Sequence, residues 1–204
     1  MNLIKPLLLS GLSLTLLACS QTTSIPSQYY ALGADDLAMT VVDSNTTATL
    51  VLKPVELPDY LNSTGVVMQL NDNQVHIAEQ HLWAGSLNQQ LDNLALESMT
   101  LQFPRATVVE SAQFYPEAGA QYWILSVSVN RFQGRLEGTA VSSGRWQLID
   151  PDGKLVRDEL FNYQLPVITK DYPEVIEKLK ENWIKFNQSV ALQVRQAIQQ
   201  RENR

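Results

Sequence analysis

Cys19 is the only cysteine in this chain, and it restricts how the chain can be held together. One cysteine cannot close an intramolecular disulfide, so burial and hydrogen bonding alone must hold any fold built here. Its position is informative as well. It ends the run Leu16-Leu17-Ala18-Cys19, which closes an apolar stretch over residues 7–17 that follows a single basic residue, Lys5. A bilayer span needs roughly 20 apolar residues. The stretch is too short for that, and its length suits the hydrophobic region of a secretory signal.

A cysteine directly after a small residue at the end of such a segment resembles a bacterial lipobox. In that reading the signal is cut between Ala18 and Cys19, the sulfur carries a diacylglycerol, and the new amine is acylated. The competing reading is a buried N-terminal helix with an inert cysteine. Acyl chains contribute about 0.8 kcal/mol per buried CH₂, and two or more chains anchor stably where one is marginal. Ser20 stands where an aspartate would resemble an inner-membrane retention signal. The expected address is therefore the periplasmic face of the outer membrane of a Gram-negative bacterium, held by lipid.

Removing the first 18 of 204 residues leaves 186, enough for one domain with a real core. Loss of Lys5 leaves 14 basic residues against 21 acidic ones, a net of −7. That balance disfavours an electrostatic grip on nucleic acid or anionic lipid headgroups. Residues 20–28 form a Ser/Thr/Gln run with Pro26 that offers little to pack, so 19–28 is expected to be the lipidated N-terminus and tether. Nine extended residues reach roughly 30 Å at about 3.3–3.6 Å each. The folded domain is expected over 29–204, starting at Tyr29-Tyr30. Met39, Val41 and Val42 offer a short strand before a loop at 43–47.

From Ala48 the pattern turns β. An apolar strand at 50–55 ends at Leu57-Pro58, because proline lacks the amide that a central ladder needs. Residues 65–70 and 74–78 flank Asn71-Asp72-Asn73 as a hairpin. Trp83, Leu87, Leu91, Leu94 and Ala95 then recur at three- and four-residue intervals, which predicts an amphipathic helix over 79–99. A strand at 107–114 stops before Pro116. Along 121–132, Trp123, Leu125, Val127 and Val129 share one face, with Ser126, Ser128 and Asn130 on the other. Strands at 139–149 and 155–165 bracket Asp150-Pro151-Asp152-Gly153, a strong turn signal. Asp171 and Glu174 have capping-box-like spacing ahead of a long helix. Its buried stripe is Val175, Leu179, Trp183, Phe186, Val190, Val194 and Ile198. The expected architecture is α+β: one two-layer domain, a largely antiparallel or mixed sheet with two amphipathic helices on one face.

Chemistry is sparse. His76 and His81 with Glu79 miss the His-x-x-Glu-His zinc spacing, because Gln80 stands where the second ligand belongs; the expected strand-to-helix break also parts the rings. No Gly-x-Ser-x-Gly elbow occurs, and Gly85-Ser86 falls inside the expected helix. The pairs Asp35-Asp36 and Asp158-Glu159 read as solvated loop or strand-end charges. There is no glycine-rich phosphate loop, and Asn45-Thr-Thr and Asn62-Ser-Thr match a glycosylation pattern that a bacterial lipoprotein would not use. No metal, no cofactor and no enzymatic activity are expected.

The order of ordinary segments carries more. Tyr29-Tyr30-Ala31-Leu32 follows the tether, then come Val55-Glu56-Leu57-Pro58-Asp59-Tyr60-Leu61 and Val66-Val67. Leu82-Trp83-Ala84-Gly85-Ser86-Leu87, the Val127 to Phe132 strand and Trp146-Gln147-Leu148 complete the series. Together with a C-terminal helix they resemble the ABC-type transport auxiliary lipoproteins, the PqiC (YmbA-like) family, from Tyr29 to about Ile198. The family often has an acidic residue and a proline after Trp-Ala, where this chain has Gly85-Ser86. The resemblance implies a non-enzymatic accessory role in intermembrane lipid transport. The implied partners are an MCE-domain periplasmic conduit and, through it, a multi-pass inner-membrane protein. Because MCE proteins assemble as symmetric rings or tubes, a cyclic homo-oligomer is also expected.

Within Leu57-Pro58-Asp59-Tyr60-Leu61 two readings compete. The plainer one is a strand end whose tyrosine and leucine cover the core edge. The sharper one makes Leu57, Pro58, Tyr60 and Leu61 candidate partner contacts on a proline-fixed loop. Two other function classes stay open: an envelope scaffold without a transport role, and a small-ligand module, which would need a closed apolar pocket with convergent polar groups.

Overall fold

The computed structural model describes residues 26–33 and 46–203. Ala18, Cys19, the tether as far as residue 25, Asp35-Asp36 and the strand expected around Met39, Val41 and Val42 lie outside the described residues.

Among the described residues eight strands form one mixed sheet: β1 (Gln28–Tyr30), β2 (Thr49–Leu52), β3 (Gly65–Asn71), β4 (Gln74–Trp83), β5 (Thr107–Glu110), β6 (Trp123–Arg135), β7 (Thr139–Ile149) and β8 (Leu155–Pro166). Helix α1 (Leu87–Gln102) and helix α2 (Tyr172–Glu202) pack together on one face of it. The α+β single-domain architecture is the one the sequence predicts.

Strands β6, β7 and β8 make an antiparallel meander. Trp123, Leu125, Val127 and Val129 are all buried on the helix side, as their alternation requires. The β7–β8 turn forms at Asp150-Pro151-Asp152-Gly153: Gly153 takes φ 78° and donates its N–H to the Asp150 carbonyl at 2.9 Å. At the start of α2 the Asp171 carboxylate accepts the Glu174 N–H at 2.9 Å. Glu174 does not return the bond to Asp171. It accepts from the Thr169 N–H and hydroxyl, both at 2.6 Å, so only half of a capping box forms. The expected stripe of α2 is buried throughout. Phe186 stacks on Phe161 at 4.0 Å, and the Trp183 indole N–H donates to the Leu91 carbonyl at 3.2 Å, tying α2 to α1.

The other edge of β6 is shared. β2 runs parallel to it at Trp123–Leu125 and β3 runs parallel to it at Gly134–Arg135. β5 extends the sheet beyond β2; β4 pairs antiparallel with β3, and β1 pairs parallel with β4.

Several boundaries differ from the sequence reading. Residues 79–83 belong to β4, not to a helix, and the helix spans Leu87–Gln102. Trp83 and Leu87 are both buried and four apart, so they mimic a helical stripe although a turn separates them. The Trp83 N–H is held by the Thr64 carbonyl at 2.8 Å, and Ser86, at φ −61° and ψ 127°, precedes the first helical residue. Gly85-Ser86 therefore lies on a strand-to-helix turn rather than inside a helix. β2 ends at Leu52, because Pro54 has no N–H to continue the ladder. β5 stops at Glu110 and passes into a short 3-10 turn over Ser111–Gln113. β6 continues to Arg135 through a bulge between Val129 and Arg131.

Candidate functional site

Residues 53–61, which include the family-like segment 55–61, fill the gap along β6 between β2 and β3. Three backbone bonds hold it there. Lys53 N–H donates to the Leu125 carbonyl, Glu56 N–H to the Val127 carbonyl, and Val129 N–H to the Glu56 carbonyl, at 2.9, 2.9 and 2.8 Å. Between them Val55 turns its backbone toward α1, where helix side chains stand in for a strand. Asp92 accepts the Val55 N–H at 2.7 Å, and the Asn88 amide donates to the Val55 carbonyl. Asn88 and Asp92 are four residues apart, so they project from the same side of α1. That spacing on a polar stripe was the sequence signal for this clamp, and the sequence reading passed over it.

After Pro58 the chain makes a short 3-10 turn over Asp59–Leu61. Leu61 is 1% exposed, a member of the core. Tyr60 is half-buried, and its hydroxyl donates to the Asn130 carbonyl at 2.7 Å, beside the β6 bulge. It also reaches Gln133 Oε1 at 3.0 Å. Gln133 in turn donates to Gln69 Oε1 at 3.0 Å, and Arg135 Nε donates to the same oxygen at 3.2 Å. Desolvation raises the Tyr60 hydroxyl above its usual pKa, with Arg131 pulling weakly the other way. Tyr60 thus supplies a donor to a carbonyl that no strand covers. Leu57 and Pro58 are half-buried like Tyr60 and Asp59 is exposed, so every residue of 57–61 except Leu61 meets solvent in part.

Beside the clamp lies a groove of about 600 Å³ between α1 and the β2, β5 and β6 strands. Leu52, Val55, Leu125 and Val127 make its floor; Lys53, Ser86, Gln89, Asn93 and Glu110 are among its rim. Burial raises the Asp92 carboxyl; the Val55 N–H bond lowers it, and the nearby Glu110 charge raises it again. This groove is open along an exposed rim, and its best-placed polar groups, Asn88 and Asp92, are already engaged by Val55. It lacks the closed, convergent character of a small-ligand site.

The histidines are separated by their surroundings, not by a strand-to-helix break, since both lie on β4. His76 is exposed. His81 lies between Tyr30 and Tyr172, with ring centroids at 5.9 and 4.0 Å, and its Nδ1 is 2.9 Å from the Tyr30 hydroxyl. Burial raises the Tyr172 hydroxyl; at Tyr30 burial acts first and the Asp171 charge second, in the same direction. The stack pins β1, where the described chain begins, to the start of α2. Among the described residues no cluster of three His, Cys, Asp or Glu side chains could hold a metal ion. Asp158 is not a strand-end charge: it lies within β8 and pairs across the ladder with Arg145.

Comparison with known proteins gives a consistent picture. A family model described as the ABC-type transport auxiliary lipoprotein component matches residues 30–191. The intermembrane transport lipoprotein PqiC of Escherichia coli (strain K12) is 30% identical over 192 residues, 94% of this chain and 98% of that protein. A crystal structure of an uncharacterized protein, also 30% identical, aligns with a TM-score of 0.70 over 83% of this chain and 99% of its own. A protein from Xanthomonas campestris shares the fold at 13% identity, with a TM-score of 0.71 over 87% of this chain and 100% of its own.

Proposed function

The chain belongs to the ABC-type transport auxiliary lipoproteins, and on that premise we propose that it is a lipid-anchored, non-enzymatic accessory component of an intermembrane lipid transport system. Residues 1–18 are removed, Cys19 is acylated, and the domain works at the periplasmic face of the outer membrane. Its partner is an MCE-domain conduit that reaches back to a multi-pass inner-membrane protein, and the lipoprotein receives the conduit at the outer membrane.

The observation that carries this reading is near full-length similarity to a protein named an intermembrane transport lipoprotein, joined to Leu16-Leu17-Ala18-Cys19 at the expected place. Ser20, rather than aspartate, supports outer-membrane delivery. Confinement to one surface raises the effective concentration of lipoprotein near the conduit, so a weak contact suffices. Leu57 and Pro58 are the members of the 57–61 segment that we propose meet the partner; Tyr60 and Leu61 position them. A conduit with rotational symmetry would recruit several copies, and a cyclic homo-oligomer follows from that geometry.

The decisive test replaces Cys19 by Ala. Palmitate labelling should be lost and the precursor should fail to fractionate with the outer membrane, whereas normal labelling of the variant would exclude the lipoprotein reading. In cells carrying the native chain, crosslinking followed by pull-down should recover an MCE-domain protein. Correct lipidation with no such capture would leave an envelope scaffold as the better description.

A further inference from the structure

The two ends of the sheet differ in chemistry. β1 runs parallel to β4, pairing Gln28 with His81 and Tyr30 with Trp83. β4 itself leaves the β3–β4 hairpin at Gln74. The chain therefore enters running away from the hairpin, with Gln28 seven residues along β4 from Gln74.

Three loops meet at the hairpin end, and hydrogen bonds join them. Leu136 N–H, in the β6–β7 turn, donates to the Gln69 carbonyl of β3 at 3.0 Å. Gly138, in the same turn, accepts at its carbonyl from Val167 N–H, just after β8, at 2.9 Å. These contacts bring together Leu70, Leu136 and Ile168, which are 37%, 60% and 85% exposed. Val75, paired with Gln69, adds a fourth apolar side chain at 41%. Single exposed aliphatic residues are ordinary on any surface, but a group of them on adjoining loops marks a contact site. The opposite end has a different chemistry, with Asp150 and Asp152 on the β7–β8 turn paired to Arg201 of α2.

We propose that Leu70, Leu136 and Ile168 insert shallowly into the bilayer that holds the acylated Cys19. This inference rests on the lipoprotein reading above. Only seven residues, 19–25, separate the anchor from Pro26, and however they run they span no more than about 25 Å at about 3.3–3.6 Å each. A short tether that runs into β1 from the direction of the hairpin keeps the apolar end near the membrane and leaves the Asp150–Gly153 end facing the periplasm. The charged side chains around the loops, Asp72, Glu137 and Asp171 against Arg135 and Lys170, nearly cancel. The contact is thus apolar in character and suits a zwitterionic surface, where aliphatic side chains enter the boundary between headgroups and acyl chains.

Because Cys19 is the only cysteine and is itself acylated, an added cysteine is the sole free thiol in the mature protein. The test uses full-length lipoprotein with Ile168→Cys or Leu136→Cys, labelled with an environment-sensitive dye and reconstituted into phosphatidylcholine vesicles. Leu155→Cys, 46% exposed at the far end, is the control. The dye at 168 and 136 should shift to the blue on reconstitution and be quenched several-fold by lipids spin-labelled near the headgroup, while the dye at 155 stays aqueous. Vesicles that float with bound protein but show aqueous emission at 168 and 136 would overturn this inference and leave the anchor intact. Protein that does not float with vesicles would remove the anchor and the inference together. A shift that needs no vesicles and rises with protein concentration would assign the patch to a second copy of the chain, which also overturns it.

Discussion

Strands β6, β7 and β8 follow one another in the chain, pair in the order in which they are made, and run 11 to 13 residues each. β1, β2 and β5 are three or four residues long and pair in parallel with strands from elsewhere. The first group holds itself by long antiparallel ladders closed by a tight turn and covered by α2. The second is held by substitutes for ladders: the Asn88 and Asp92 clamp on Val55, the Tyr60 hydroxyl on Asn130, and the tyrosines around His81. A short parallel strand gains few backbone bonds for the entropy its distant closure costs. Side chains on neighbouring elements must supply the rest.

The comparison predicts where the domain is least tolerant. Trp183 is fully buried and touches Phe132, Phe161 and Phe186 while bonding Leu91. Trp183→Ala should cost about 3–5 kcal/mol, a large share of the roughly 5–15 kcal/mol that stabilises a typical domain. Denaturant titration of the soluble domain measures it. An unchanged midpoint would mean that α2 does not seal the meander.

The next effect separates two side chains one residue apart. Leu61→Ala, emptying a buried site, should cost about 2–5 kcal/mol. Tyr60→Phe keeps the ring and removes only the hydroxyl donor, a loss of about 1 kcal/mol. Hydrogen exchange of the β2 and β3 amides should rise in both, more in the first. If Leu61→Ala left stability untouched while abolishing partner capture, the segment would be a docking loop and not the filler of the β6 gap.

The same contrast governs what could be read from sequence. The meander was legible because antiparallel neighbours are local: alternation at Trp123–Val129 marks β6, and Asp-Pro-Asp-Gly marks the turn between β7 and β8, without knowledge of anything distant. The α2 stripe was legible because apolar residues recur at helical spacing on one face of it from Val175 to Ile198. The β4–α1 boundary was not, since Trp83 and Leu87 satisfy a helical spacing by coincidence, and only the pairing of β4 with β1 and β3 decides between the readings. The role of 57–61 also depended on a neighbour, the vacant edge of β6. Its residues signal a stop, and nothing in them says which carbonyl the tyrosine will meet.

The smallest expected effect is one of sign, and it contrasts the two regions directly. Asp92, on the clamp, has its pKa raised above the ordinary 3.8 first by burial. Its protonated form is favoured by folding, so its contribution is fully present below the unfolded-state pKa and is lost as pH rises through the folded-state value. Glu174, at the start of α2, is lowered from 4.5, chiefly by the Thr169 hydroxyl bond and then by backbone bonds. Its contribution is present above the unfolded-state pKa and is lost as pH falls through the folded-state value. Asp92→Asn keeps an acceptor for Val55 without the charge, so at neutral pH the variant should be at least as stable as the native chain. That margin should close on acidification. Glu174→Gln should be less stable at neutral pH, and its deficit should close in the same direction. Denaturation midpoints measured from pH 3 to pH 8 on the three proteins would display both trends. Two variants whose margins carry the same sign would show that the carboxylate at the clamp is held as the one at the helix start is held, by bonds that favour its charge. The clamp would then be an ionic contact, and the distinction between a region built on ladders and one built on buried substitutes would fail at the residue where it is sharpest.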